Sequence, residues 1–343
     1  MSSESMILKN CMDSILKYRQ QIYGLLAIWI VLFHVSNRVG VPLHPGIIEP
    51  LICMGNICVD VFMFLSGYCI CRSYERKKSI FDFYRRRVFR VVIPYLVISI
   101  PLYLWKDGFE TGWKFNLKGY IGDLSTYNFW MHGMQTTWFV CAIILFYLLV
   151  PAFYYLSKKK QNAGIILVIF GYTLNIFLSL TWEGYHQAKI AWARLPVFIL
   201  GIVAYFHPQL TLNRNTIRLF ITLSILFTVV FPIREWYTLI FGSHAEVLFL
   251  SYIFLVPGIL FMLYKVISIL PKGFKVFLAF VGGFSLEIYL IHVFLLRIFD
   301  FFHCVDVLKG FYYLIIPLLT LFLVYLYQTV RNVICKSFAT YHY

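Results

Sequence analysis

Four polar side chains stand out because they lie in or beside long apolar segments. His34 ends the apolar run YGLLAIWIVLFH, and Asp60 lies inside the run ICVDVFMFL. Arg87 and Arg90 lie three residues apart where a basic segment meets another apolar run. An imidazole beside a carboxylate can act as a general base for a hydroxyl, because the carboxylate fixes its tautomer and raises its basicity. Two guanidiniums on one helical face form a fork that binds phosphate.

Each of these residues also has a structural interpretation. A buried histidine can hydrogen-bond to a backbone carbonyl of a neighbouring helix, and Asp60 can pair with the backbone or with an arginine. Basic residues beside an apolar segment are expected from the positive-inside rule, and they can also bind anionic lipid head groups. The four residues alone leave these alternatives open.

The composition of the 343-residue chain predicts an all-α polytopic membrane protein. Hydrophobic residues make up 61% of the chain and charged residues 13%, where a soluble domain has about 25% charged residues. Apolar runs long enough to cross a bilayer recur from end to end, and they are continuous, which excludes the alternating pattern of a β-barrel. The chain has a net charge of +15, which basic cytoplasmic loops explain in a membrane protein of this kind. We therefore expect no nucleic-acid partner.

Hydropathy predicts a bundle of about ten transmembrane helices. The predicted segments are about 21–38, 51–72, 88–105, 136–156, 162–181, 190–206, 215–233, 245–267, 275–298 and 311–334. With residues 1–19 as a cytoplasmic lead-in, every loop on the same side is basic, so we expect both termini to be cytoplasmic. No loop is long enough for an appended soluble domain, which predicts one integral-membrane domain over residues 1–343.

Other polar groups in apolar segments are lesser candidates for the site. Arg194 lies at the expected outer end of one helix and can pair with Asp60 or Glu287, while His292 is expected at the depth of His34. The eight cysteines lie mostly in apolar segments, and no set of histidines and cysteines has zinc-ligand spacing. We therefore expect no metal site and no bound cofactor.

Six segments, in this order, resemble the motifs of the membrane-embedded acyltransferase-3 family, which includes O-antigen and peptidoglycan O-acetylases. They are Gly24 to His34, Gly55 to Tyr68, Arg86 to Tyr95, Trp138-Phe139 with Tyr147 and Pro151, Arg194 to Gly201, and Ser285 to His292. Any one of these motifs is weak, but six in the family's order are highly specific.

The resemblance implies transfer of an acyl group, usually acetyl from acetyl-CoA, to a hydroxyl of a cell-surface glycan or its lipid-linked precursor. It implies a multi-pass protein of the bacterial cytoplasmic membrane, with acyl-CoA, the glycan and lipids as partners. By position, His34 matches the essential histidine of the family, and Arg87 and Arg90 match its donor-associated RxxR motif. The remaining matches are to recurrent motif positions: Asp60, Ser66, Gly67, Tyr289 and His292.

The chain departs from the family at one position. The family has an arginine eleven residues before its histidine, and that position is Tyr23 here. Arg19 lies one helical turn earlier, from where its side chain can extend toward the site. The substitution keeps one alternative open, an inactive relative in a glycan assembly complex. A second alternative is a transporter or flippase for a lipid-linked glycan, because many helices, ionisable residues within them and a basic cytoplasmic face also suit proton-coupled transport.

Overall fold

The computed structural model describes residues 12–40, 48–76, 79–112, 114–133, 136–159, 161–181, 185–208 and 246–340, with the single positions 215, 218, 219 and 222. Every regular element in these ranges is a helix. The ten longest are α1 (Arg19–Val39), α2 (Ile57–Glu75), α3 (Ile80–Glu110), α4 (Trp138–Lys159), α5 (Gln161–Thr181), α6 (Leu195–Phe206), α7 (Glu246–Ile269), α8 (Lys272–Gly283), α9 (Ser285–Phe301) and α10 (Tyr312–Thr340). Shorter helices connect them: Ile48–Cys53, Met54–Asn56, Leu117–Leu124, Tyr127–His132, Tyr185–Trp192, Cys304–Leu308 and Lys309–Phe311.

The described helices confirm a polytopic all-helical architecture. Six stretches are long and apolar enough to cross a membrane: Arg19–Val39, Leu51–Glu75, Ile80–Glu110, Trp138–Lys159, Ala188–Phe206 and Cys304–Asn332. The bent pair of α8 and α9 adds a seventh if it forms one span. Helices satisfy their own backbone hydrogen bonds, which lipid cannot do for them. The count of about ten spans and the cytoplasmic termini stay predictions, and the predicted helix 215–233 lies almost wholly outside the described residues.

Two helices differ from their predicted outlines. α3 begins at Ile80, where the Ser79 side chain accepts a hydrogen bond from the Phe81 amide (3.1 Å), so the arginines predicted in a linker lie on a helix. The predicted helix 275–298 is broken, since α8 and α9 meet at 71°. Both changes determine which way side chains face: the first directs Arg87 toward the bundle, and the second places Glu287 at the start of α9 inside it.

Pairs of glycines let two pairs of helices approach closely. A Cβ at Gly67 of α2 would collide with the Phe198 carbonyl of α6, and a Cβ at Gly201 of α6 would collide with the Phe64 carbonyl. Gly24 of α1 and Gly282 of α8 make the equivalent contact. Small residues are the usual means by which membrane helices pack backbone to backbone. These two close pairs hold α1 and α2, the helices that carry His34 and Asp60.

Candidate active site

A cavity of about 640 Å³ opens among α1, α2, α3, α4 and α9. One end of it, called here the arginine end, is lined by guanidinium groups from three helices: Arg19, Arg72, Arg76, Arg86, Arg87 and Arg90. Asp13 lies 3.7 Å from Arg72 and offsets part of this charge. Such a concentration of positive charge at the mouth of one cavity favours an anionic ligand.

The interior of the cavity is mostly apolar. Beyond the arginines it is bounded by aliphatic and aromatic side chains that include Ala27, Ile30, Val59, Phe62, Phe139, Ile143 and Tyr289. From Arg19 to Ile30 the cavity follows α1 for about 16 Å, by the 1.5 Å rise of a helix. Polar groups at one end and apolar walls beyond suit an elongated ligand with a charged head and a thin, less polar arm.

Arg87 and Arg90 both face this cavity, and Arg87 is held in place by its neighbours. The Nη2 of Arg87 donates to the Ser73 hydroxyl (2.7 Å), and its guanidinium lies 5.5 Å from the ring centroids of Phe83 and Tyr147. Contacts of this kind fix the position of the planar group at the cavity wall. Arg85, on the same turn of α3, does not line the cavity but a neighbouring surface groove, which Arg86 and Arg90 also line.

Arg19 reaches the cavity wall beside the tyrosine that replaces the family's arginine. Its guanidinium lies 6.0 Å from the ring centroid of Tyr23, and its Nη1 lies 3.9 Å from the sulfur of Cys69. Tyr23 packs on Phe62, with ring centroids 5.1 Å apart. A cation is therefore present in this part of the cavity, supplied from one helical turn earlier.

His34 of α1 and His292 of α9 lie side by side. The Nδ1 of His34 is 2.8 Å from the Nε2 of His292, and the Nδ1 of His292 is 2.8 Å from the carbonyl oxygen of Ile288. The two rings are close to parallel, at 20°. His292 is fully buried, whereas His34 keeps part of its surface accessible. The two histidines form one hydrogen-bonded unit, the histidine pair.

The expected pairing of His34 with Asp60 is not what the structure shows. Asp60 is buried and its Oδ1 lies 3.7 Å from the Nε of Arg194, whose guanidinium lies 5.3 Å from the ring centroid of Trp138. Arg194 also donates to the carbonyl of Ile190 (3.1 Å). Equal depth along two helices does not determine whether their side chains face each other. The rotation of α2 about its axis directs the Asp60 carboxylate toward α6 and α4. Asp60 therefore takes part in a buried ion pair, one of the alternatives that the sequence left open.

The other predicted residues fall in separate places. Ser66 lines the cavity, and Gly67 lies at the contact between α2 and α6. Glu287 is buried, with Arg331 of α10 as its partner at 3.9 Å. Glu287 therefore anchors α10 to the start of α9, which lies next to the cavity.

Tyr289 separates the cavity from the histidine pair. Its ring lines the cavity on one side and lies 5.9 Å from the His292 ring, centroid to centroid. Its hydroxyl donates to the carbonyl of Thr136 (3.2 Å) and accepts from the amide of Phe139 (3.3 Å). The Phe139 ring meets it edge-on at 5.4 Å. Among the described residues that line the cavity are Tyr289 and Phe139 but neither histidine, and we call these two packed rings the aromatic wall.

Ion pairs lie beyond the histidines, at the end of the bundle opposite the arginines. Arg38 pairs with Asp300 at 2.8 Å, one helical turn after His34. Arg297 holds Glu110 through two hydrogen bonds of 2.8 and 3.0 Å. These side chains remain partly exposed, so the surface on this side of the histidine pair is polar.

Reasoning from the sequence missed three features of the site. It did not predict that Arg72, Arg76 and Arg86 share one cavity with the RxxR pair, or that Phe139 lines that cavity beside Tyr289. It also did not predict that His34 and His292 touch. The motif positions contained a signal for the last two, because Phe139 and His292 both lie in segments that resemble the family's.

Comparison with known proteins identifies the family to which the chain belongs. A family model described as an acyltransferase domain, that of the acyltransferase-3 family, matches residues 23–329, which is nearly the whole chain. Comparisons with curated protein sequences and with solved structures gave no significant match. The matched region includes both histidines and all but one of the cavity's arginines, Arg19. The chain belongs to the acyltransferase-3 family, and it is an integral membrane acyltransferase.

Proposed function

We propose that the protein transfers an acyl group, normally acetyl, from acyl-CoA to a hydroxyl of a cell-surface glycan or of its lipid-linked precursor. One observation supports this most strongly: six arginines line the same cavity as Tyr289, whose ring contacts His292 of the histidine pair. In this proposal the arginine end faces the cytoplasm of a bacterial cell, because the donor is made there.

The cavity fits the shape and charge of acyl-CoA. The phosphates of the nucleotide would lie among Arg87, Arg90 and their neighbours, since guanidiniums bind phosphate oxygens in pairs. The pantetheine arm would follow the less polar interior toward Phe139 and Tyr289. The distance along α1 from Arg19 to His34 is about 22 Å by the helix rise, which is comparable with an extended donor arm.

The chemistry requires one base. His34 removes the proton of the acceptor hydroxyl, whose oxygen attacks the thioester carbonyl carbon. The carbon–sulfur bond then breaks, the ester is released, and the thiolate of coenzyme A takes a proton from the His34 imidazolium. The acceptor would approach from the end that carries Arg38 and Arg297, because that side is polar and partly exposed.

Membranes that contain only this protein test the proposal. Incubation with acetyl-CoA labelled in the acetyl group and with candidate glycans is expected to give labelled glycan, and His34→Ala is expected to remove nearly all of the label, leaving only a small residual rate, at an unchanged protein level. Transfer retained by His34→Ala would contradict the role of the histidine. Movement of unlabelled glycan across the membrane without any acetyl transfer would support the transporter alternative instead.

Arg19 has a separate role in the proposal, as the cation that replaces the missing arginine at position 23. Arg19→Ala is expected to raise the KM for acetyl-CoA, because a phosphate loses one charged partner. The double variant Arg19→Ala/Tyr23→Arg moves the cation to the position that the family uses and is expected to recover the wild-type KM. An unchanged KM in Arg19→Ala leaves Arg19 without a role in donor binding.

A further inference from the structure

The contacts of His292 determine where its proton lies. A carbonyl oxygen only accepts hydrogen bonds, so at 2.8 Å from the Ile288 oxygen the Nδ1 of His292 carries the hydrogen. His292 is fully buried, and a buried positive charge with no counter-ion is costly. The ring is therefore neutral, and its lone pair lies on Nε2.

The same reasoning extends to His34. The Nε2 of His292 is 2.8 Å from the Nδ1 of His34, and two lone pairs do not face each other at that distance. Nδ1 of His34 is therefore the donor, and the lone pair of neutral His34 lies on its Nε2. That nitrogen points away from His292 on the ring that keeps part of its surface accessible.

We propose that His292 is the positioning residue that makes Nε2 of His34 the base. This inference rests on the proposed acyl transfer. The carbonyl of Ile288 orients His292, and His292 orients His34, in the way that an aspartate orients the histidine of a hydrolase triad. After His34 takes the proton from the acceptor on Nε2, its Nδ1–H stays hydrogen-bonded to His292, which stabilises the imidazolium that forms.

The surroundings of the histidine pair fit a neutral His292 that accepts the hydrogen bond from His34. Asp60 is engaged with Arg194, and Asp300 is engaged with Arg38, the cation one turn from His34. Tyr289, the other titratable group in ring contact with His292, directs its hydroxyl to backbone atoms of Thr136 and Phe139. Among the described residues, these contacts leave His292 as the hydrogen-bond partner of His34 Nδ1.

Two substitutions at position 292 separate positioning from packing. Glutamine can place its side-chain oxygen where Nε2 of histidine lies, so His292→Gln is expected to keep activity within about tenfold of wild type. Leucine has similar bulk but accepts no hydrogen bond, so His292→Leu is expected to lower kcat about 100-fold with the KM for acetyl-CoA unchanged. The folded fraction of each variant is checked by its elution profile in detergent.

A double variant shows whether His292 acts through His34. His292→Leu is expected to have no further effect on the residual rate of His34→Ala. Equal losses in the glutamine and leucine variants, or an additional loss in the His34→Ala background, would overturn the inference. If the wild-type protein transferred no acetyl group at all, that result would instead count against the proposed function.

Nitrogen-15 solid-state NMR of histidine-labelled protein tests the tautomers without any substrate. Difference spectra against His34→Ala and His292→Gln assign the two rings. Both are expected to carry their proton on Nδ1, and His34 is expected to lose this preference in His292→Leu. A proton on Nε2 of neutral His34 in the wild-type protein would refute the inference whether or not the enzyme accepts acetyl-CoA.

Discussion

At the scale of single residues, the arginines of the cavity differ from those outside it. Arg87 lines the cavity and is fixed by Ser73 and two aromatic rings, whereas Arg85 lines the neighbouring groove, with its guanidinium 5.9 Å from the ring centroid of Phe89. Positive-inside statistics apply equally to both residues. Only the direction of each side chain distinguishes donor binding from a general basic surface.

Arg87→Ala is expected to raise the KM for acetyl-CoA about 10- to 100-fold, since a hydrogen bond to a charged group contributes about 1.5–3 kcal/mol. The matched control is Arg85→Ala, which removes the same charge from the same helical turn and is expected to leave KM unchanged. Steady-state kinetics at fixed ionic strength measures both variants. Equal effects would mean that the overall charge of this surface, and not the cavity, attracts the donor.

Asp60 is expected to contribute to stability more than to catalysis. In Asp60→Asn the buried guanidinium of Arg194 loses its counter-charge, and breaking a buried pair from one side costs about 3–5 kcal/mol. We expect a lower thermal midpoint in detergent, partly recovered in Asp60→Asn/Arg194→Gln. If Asp60→Asn had an unchanged thermal midpoint and a kcat as low as that of His34→Ala, Asp60 would have a catalytic role instead.

The sequence gives the depth of a polar residue in a helix but not its rotation. His34 and Asp60 were paired because both were expected in the same half of the bilayer. The partner of His34 lies 258 residues away, and that of Asp60 is Arg194, which immediately precedes α6. Contacts between distant helices depend on how all the apolar faces pack together, and hydropathy carries no information on this.

At the scale of elements, segment positions were predictable and interruptions were not. Apolar runs identified each long helix that the structure describes, because lipid requires continuous helical segments. The break between α8 and α9 follows Gly282-Gly283, and the sequence is apolar on both sides of it. Hydropathy therefore predicts one continuous helix across the break. The start of α3 was predicted too late because charged residues precede it, although Ser79 caps a helix there.

The close contact between α2 and α6 predicts a stability effect at Gly67. Gly67→Ala places a Cβ against the Phe198 carbonyl, and overpacking of this kind costs about 1–3 kcal/mol or more. We expect a lower thermal midpoint and a smaller folded fraction. Gly273→Ala, at a position of α8 with open space around it, is the control and is expected to change neither. Similar midpoints for both variants would show that α2 and α6 separate without cost.

At the scale of the whole molecule, the bundle has a cavity on one side of the aromatic wall and a polar surface on the other. The cavity has the arginine end, and the polar surface carries Arg38 and Arg297. Donor and acceptor would then enter from opposite ends, and the thioester and the hydroxyl would meet where Tyr289 adjoins His292. For acyl transfer to occur, the rings of Phe139 and Tyr289 have to move aside.

The same wall has an electrical consequence. A hydrated cavity that ran through to the opposite surface would let protons follow a chain of water molecules and would short-circuit the membrane potential, and two histidines along such a chain would assist proton hopping. In the proposed transfer, the rings of Phe139 and Tyr289 would interrupt that chain while no acyl group passes. In vesicles with an imposed potential and a pH-sensitive dye inside, Tyr289→Gly is expected to leak protons faster than wild type, while His34→Ala stays as tight as wild type. A tight Tyr289→Gly would mean that other side chains insulate the membrane. The ring that admits the acyl group to the histidine pair would then also allow this enzyme to reside in an energised membrane without discharging it.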